Sequence, residues 1–272
     1  MPFTLQLSTA ARRLALCLVA LSVVVMTAHQ VGAPYEPELG QKGKDVQWVP
    51  TPPALIEKML DLAAVMPRDY LVDLGSGDGV TVIAAAKRGV RALGIEYDPR
   101  LVELSKRNAD AAGVSARTKF IKADIFKTDF SSATVVTTFL LPSLNLQLRP
   151  TVLAMKPGTR VVSNTFPMGD WEPDQTATIA PCERWCTALF WVVPARVAGI
   201  WRTPQGDLTL TQRFQMVSGT LGKQPLVEGR LRGEDIRFTV DGVEYTGRVD
   251  GYRMRGTYTA NGRTLEWRGV RR

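Results

Sequence analysis

The chain of 272 residues has one histidine, His29, and three cysteines. His29 lies in an N-terminal segment that reads as a leader, so the remainder carries no imidazole. That excludes Ser-His-Asp and Cys-His nucleophilic catalysis and any histidine-ligated metal site. Cys17 sits in the same leader, which leaves Cys182 and Cys186 in "APCERWC". Without a nearby histidine the pair makes no zinc site. In an oxidising compartment it closes a small disulfide loop, and otherwise it remains two buried thiols. The chain also lacks a Lys/Arg run and an aromatic-basic stripe. Its net charge of +8 therefore reads as a solvated basic surface, and no nucleic-acid partner is expected. With 45% hydrophobic and 22% charged residues, there is enough apolar material for a core or two.

The longest apolar run, "LALCLVALSVVVM", is short for a membrane span. Arg12 and Arg13 precede it, and the small-residue stretch "TAHQVGA" ends at Ala33. Residues 1–33 thus read as a signal peptide or a membrane anchor, with residues 14–28 as the membrane-associating part. Pro34 disfavours cleavage and keeps the anchor alternative open. Arginines before the run and Glu36 and Glu38 after it place the rest outside the cytoplasm, exported to a periplasmic or other extracytoplasmic space or held at the membrane. Residues 34–53, rich in proline and glycine, read as an ordered lead-in or linker.

From residue 54 to 195 the pattern is α/β. "PALIEKMLDLAAVM" has helical period, with Leu55, Met59, Leu62 and Met66 on one face. Strands "YLVDL", "VRALGIE", "RTKFIKA", "ATVVTTFLL" and "GTRVVSNTF" alternate with helices such as "GVTVIAAAKRG" and "PRLVELSKRNADAAG". "SLNLQLRPTVLAM" reads as a helix kinked at Pro150. Such alternation predicts a Rossmann-like parallel sheet with helices on both faces. Residues 196–272 change to polar-apolar alternation and contain two matching stretches, "GRLRGEDIR" from Gly229 and "GRVDGYRMR" from Gly247. A small antiparallel β meander of about six strands is expected there, its core supplied by Trp201, Phe214, Phe238, Tyr258 and Trp267.

The chemistry concentrates in "LVDLGSGDGV". A phosphate-cradling P-loop needs Gly-Lys-Ser/Thr, and no lysine is present. A dinucleotide turn needs a third glycine where Val80 stands, and pyrophosphate would be repelled by Asp73 and Asp78. The site suits a nucleoside that carries positive charge, namely S-adenosyl-L-methionine. Asp73 would face the cationic methionine part. Gly75, Ser76, Gly77 and Gly79 allow close backbone approach. Glu96, followed by Tyr97, ends the second strand and would take the ribose hydroxyls. Asp124, followed by Ile125, ends the third and would accept from the adenine amino group.

D-x-G-x-G-x-G followed by acids ending strands two and three resembles class I S-adenosylmethionine-dependent methyltransferases. "VPTPP", "DLGSGDG", "GIEYDP", "LVELSKRNADAAG", "FLLP" and "VVSNTFPMGDWEP" are most similar to the protein-lysine methyltransferase family whose members modify the ATP synthase c-subunit and the adenine nucleotide translocase. Val80 and Asp98 depart from that family's usual Arg and Asn. The resemblance implies N-methylation of a protein lysine. The apolar loop "TFLLPS" lacks the Asn/Asp-Pro-Pro-Tyr/Phe of base methylases and makes Leu141, Pro142 and Ser143 acceptor-site candidates. Trp171 is a further candidate, with Glu172 beside it as a residue bordering the channel. Methylation of a small molecule or lipid, or a non-catalytic exported binding module on the same fold, are the alternatives. No residue is assigned as a catalytic base.

Overall fold

The computed structural model describes residue 1 and residues 35–272, so the expected signal peptide or anchor lies outside the described residues. No helix among the described residues is long and apolar enough to cross a membrane. Residues Pro37–Arg272 form one compact unit.

The α/β part is a seven-stranded sheet in the order β3-β2-β1-β4-β5-β7-β6. Strands β1 (Tyr70–Leu74), β2 (Arg91–Glu96), β3 (Thr118–Lys122), β4 (Val135–Thr138) and β5 (Arg160–Asn164) are parallel. β1 and β4 are buried almost throughout, as expected for strands covered on both faces. The strict alternation ends there. β6 (Gln175–Thr178) and β7 (Thr187–Val192) form an antiparallel hairpin added to the edge of β5.

Helix α1 (Pro53–Leu62) begins with Pro53 at its first turn, where the missing N–H costs nothing. It buries Leu55, Ile56, Met59 and Leu60. It also stops at Leu62, shorter than the period suggested. Ala64 takes a positive φ of 44°, and Met66 is left exposed beyond the end. α2 (Val80–Lys87) and α3 (Pro99–Ala111) follow β1 and β2. α4 (Pro142–Leu153) follows β4 and runs through Pro150.

The C-terminal alternation does form an antiparallel meander, and it goes further than expected. Eight strands, β8 (Gly199–Thr203) to β15 (Arg263–Arg271), close into a barrel. Closure pairs β15 with β8, Val270 opposite Arg202. Trp201, Phe238, Tyr245, Met254 and Trp267 pack its interior, with Tyr258 partly buried against them. Phe214 instead leaves the barrel and stacks on Trp171, ring centroids 6.0 Å apart. Asp174–Arg230 at 2.7 Å, Arg213–Asp170 at 2.7 Å and Gln215 Nε2 donating to the Glu172 carbonyl at 2.8 Å join the barrel to the sheet.

Candidate active site

The carboxyl ends of β1, β2 and β3 meet at one cavity, the place where open α/β sheets bind ligands. Asp73, Gly75, Ser76, Gly77, Glu96, Tyr97, Asp124 and Ile125 all line it. Gly79 does not. It takes a φ of 85° at the N-cap of α2, and a Cβ there would come within 2.9 Å of Phe120 and Ser105.

The turn is held from three sides. Gly75 and Ser76 donate to the Ile95 carbonyl at 2.9 and 3.1 Å. Gly77 N–H donates to Glu96 Oε2 at 2.9 Å, while Glu96 Oε1 accepts from Tyr97 and Asp98 N–H at 2.7 and 2.9 Å. From α3, Ser105 Oγ donates to the Gly77 carbonyl at 2.9 Å and Asn108 Nδ2 to the Asp78 carbonyl at 2.9 Å. Sequence reasoning passes over Ser105 and Asn108. Their signal is two polar side chains three apart on a helix whose neighbouring face is apolar.

Asp73 is the most unusual group. It is 6% exposed, and Thr137 Oγ1 donates to its Oδ1 at 2.6 Å. Among the described residues no cation pairs with it. Burial, and then the nearby charges of Glu96 and Asp78, push its pKa up to about 7, against the Thr137 hydrogen bond, which lowers it. Asp78 is likewise raised by burial. Asp124 lies in a different setting, accepting from Phe126 N–H and Lys44 Nζ, both at 3.0 Å, which hold its pKa below the ordinary value.

Lys44 belongs to the lead-in, which is more than a linker. Residues 41–48 form a tight hairpin, with Trp48 N–H donating to Gln41 O at 2.8 Å and Gly43 N–H to Val46 O at 2.9 Å. The hairpin lies over the cavity. Lys44 Nζ sits 4.8 Å from the Tyr97 ring centroid. The Trp48 indole stands where a Cβ on Gly77 would approach Nε1 to 3.0 Å. Thr51 Oγ1 accepts from Asn164 Nδ2 at 3.2 Å and fixes the hairpin's exit to β5. No local pattern marks this lid, because its partners Gly77, Asp124 and Asn164 are far away in sequence.

The acceptor candidates divide. Leu141 is exposed and lines a second cavity beside the first. Pro142 and Ser143 are exposed at the start of α4 and line neither cavity. Trp171 is a correction. It is fully buried between Trp191 and Phe214, and the Glu172 carbonyl serves the barrel contact. A bulky apolar side chain before the barrel had the wall of a core to fill.

The residues present fit S-adenosyl-L-methionine on their own chemistry. A buried carboxylate without a countercharge suits the cofactor's ammonium or sulfonium. Thr138, at the end of β4, lines the same cavity, and its buried Oγ1 has no hydrogen-bond partner among the described residues. Fold and site together define a class I S-adenosylmethionine-dependent methyltransferase. Residues 73–175 match the model of the ANTKMT methyltransferase domain. A protein-lysine N-methyltransferase from Saccharolobus islandicus is 39% identical over 137 residues, 49% of this chain and 85% of that protein. The chain belongs to this methyltransferase family. The mouse ATP synthase c-subunit lysine N-methyltransferase is 43% identical over 110 residues, 40% of this chain but only 44% of that protein. A crystal structure of an RNA methyltransferase from Salinibacter ruber with S-adenosyl-L-homocysteine is 46% identical. It covers 55% of this chain and 96% of that one, with a TM-score of 0.52. The matches to Saccharolobus, mouse and Salinibacter proteins extend over at most about half of this chain.

Proposed function

We propose that the protein transfers a methyl group from S-adenosyl-L-methionine to the side-chain amine of a protein lysine. The observation that carries this reading is the pairing of a buried Asp73 that no cation neutralises among the described residues with a second cavity, walled on one side by Phe139, Leu141, Phe166 and Trp185, that shares lining residues with the first. The cofactor supplies an electrophilic methyl group and a neutral thioether leaving group. Asp73 holds the methionine ammonium, Glu96 the ribose hydroxyls, and Asp124 the adenine amino group. Trp48, Val49 and Leu140 exclude water. An incoming lysine must lose its proton, which costs about 4.6 kcal/mol at pH 7 from a reference pKa of about 10.4. Val49 and Leu140, at the cofactor cavity, desolvate the amine where it would meet the cofactor, which favours its neutral form and lowers that cost. With the cofactor bound, these side chains would align the neutral amine, its proton already passed to water, with the methyl group, and the methylated nitrogen would take over the positive charge that the sulfonium gives up. Alignment, more than a protein base, is what the chain provides.

The names of the Saccharolobus and mouse relatives support lysine as the acceptor. The name of the Salinibacter relative favours a second reading, an RNA acceptor. Purified protein with tritiated-methyl cofactor and membrane and soluble extracts separates them. Label released by protease and resistant to ribonuclease supports the proposal, and the reverse pattern, or label in lipid, refutes it. Export or membrane anchoring through residues 1–33 is part of the proposed role, and supports an acceptor at or beyond the membrane.

A further inference from the structure

Next to the cofactor cavity, and sharing Val46, Val49 and Phe139 with it, lies a second cavity lined by Leu141, Phe166 and Trp185. Its three rings contact one another. Phe139 and Phe166 stack with centroids 6.0 Å apart. Trp185 lies 5.6 Å from Phe139 and 5.3 Å from Phe166, inclined at 63° and 52°. All three are only partly buried, so part of each ring is open to the cavity.

Each ring is fixed by its own device. Phe139 directly follows Thr138, the last residue of the buried strand β4. Phe166 leaves β5 through Thr165, a non-glycine residue at φ 62°. Its carbonyl accepts from Ser163 Oγ at 2.7 Å and from the fully buried Asn145 Nδ2 at 3.0 Å. Trp185 also has a positive φ, 59°, inside the loop closed by the Cys182–Cys186 disulfide. Left-handed backbone at two bulky-chain positions is costly, and persists where the surroundings over-determine it. Both positions place an aromatic ring at this one cavity.

We propose that Phe139, Phe166 and Trp185 form the acceptor sleeve: a lysine's methylene stem lies against the rings and its ammonium over a ring face on the way to the cofactor, with Trp185 held as the specificity-determining wall by the disulfide loop. This rests on the proposed lysine acceptor. Three ring faces attract an alkylammonium through their quadrupoles and its stem through apolar contact. A neutral chain of equal length gains the second term only, so the sleeve selects amines. Two lysines, Lys42 and Lys44, and the Asp45 carboxylate also line this cavity on the hairpin side; Lys44 is turned to Asp124 and Asp45. The disulfide settles which of its two states the Cys182 and Cys186 pair adopts, and gives the pair a purpose: a short closed loop around a tryptophan.

The test uses the full chain, saturated with S-adenosyl-L-homocysteine or cofactor. Trp185→Ala should raise the KM for a lysine acceptor about tenfold, the loss of one desolvated cation–π contact, with kcat and cofactor Kd little changed. Trp185→Phe should recover most of that, and Cys182→Ser with Cys186→Ser should fall between. Separately, n-butylammonium should bind the wild type, titrated by NMR, more tightly than n-butanol, and Trp185→Ala should erase the difference. If no protein lysine is methylated at all, the lysine proposal fails, and the butylammonium titration still decides the sleeve. Unchanged KM in a folded Trp185→Ala, or equal binding of butylammonium and butanol by the wild type, overturns it. A nucleoside that outcompetes butylammonium would also overturn it, in favour of a base-stacking site.

Discussion

Replacing Asp73 by Asn should make the cofactor-free protein more stable at pH 8 while weakening its hold on the cofactor. The isostere keeps the acceptor that Thr137 Oγ1 uses at 2.6 Å and removes only the charge. The wild-type carboxyl has a pKa of about 7 in the folded chain against an ordinary 3.8, a gap worth about 4 kcal/mol at most. The sign follows from proton linkage. Between the two values the folded chain keeps a proton that the unfolded chain has released. Stability from this group is therefore whole below the lower value, falls as pH rises through the window, and is flat above about 7. Local relaxation and water entry leave about 1–2 kcal/mol to be recovered by the variant at pH 8, and almost none at pH 4. That corresponds to a rise in Tm of about 2–8 °C at pH 8. Thermal melts of both proteins at the two pH values, followed by circular dichroism, test this. Calorimetry should show the variant binding S-adenosyl-L-methionine at least about tenfold more weakly, the loss of one charge-assisted contact. In the wild type, affinity should drop as pH falls below about 7, because Asp73 is then protonated. A variant that is less stable at pH 8, or a gain equal at both pH values, refutes the reasoning.

Glu96→Ala should weaken cofactor binding by about 1–3 kcal/mol in calorimetry, since it also frees Gly77 N–H from the carboxylate; an unchanged titration in the folded variant removes the ribose assignment. Asp174→Asn should destabilise the protein by about 2 kcal/mol in denaturant titration, below the range for fully buried pairs because Arg230 is one-third exposed; no change would mean that the barrel is not anchored there. A fusion of residues 1–45 to a reporter active only outside the cytoplasm should be active, as the flanking charges orient the segment outward; activity confined to a cytoplasmic reporter contradicts export.

Much of the lining of the cavity at the sheet's carboxyl edge was legible because its signals are local. Asp73, Gly75, Gly77 and Glu96 each announce a strand end or a turn within a few residues, and strand order carries them to one edge. What stayed hidden depends on distant partners. The lid of residues 41–48 reads as a Pro/Gly-rich lead-in, since nothing local shows that Lys44 meets Asp124. Trp171 looked like a channel residue because an exposed-looking loop hides a stack with Phe214 from the barrel. Barrel closure is invisible in alternation, as it depends on β15 meeting β8 across the length of the C-terminal region. Short turns such as that between Thr203 and Gly206 also merge strands in the pattern, which is why eight read as about six.

The most direct measurement of the central claim is the chemical identity of the product. Protein extract is labelled by the purified enzyme with tritiated-methyl cofactor, hydrolysed to amino acids and separated by chromatography. The account predicts label that co-elutes with N-methylated lysines and falls about tenfold, at cofactor below its Kd, when Asp73→Asn replaces the wild type. Label in methylated nucleosides, in lipid or in a residue other than lysine would contradict it.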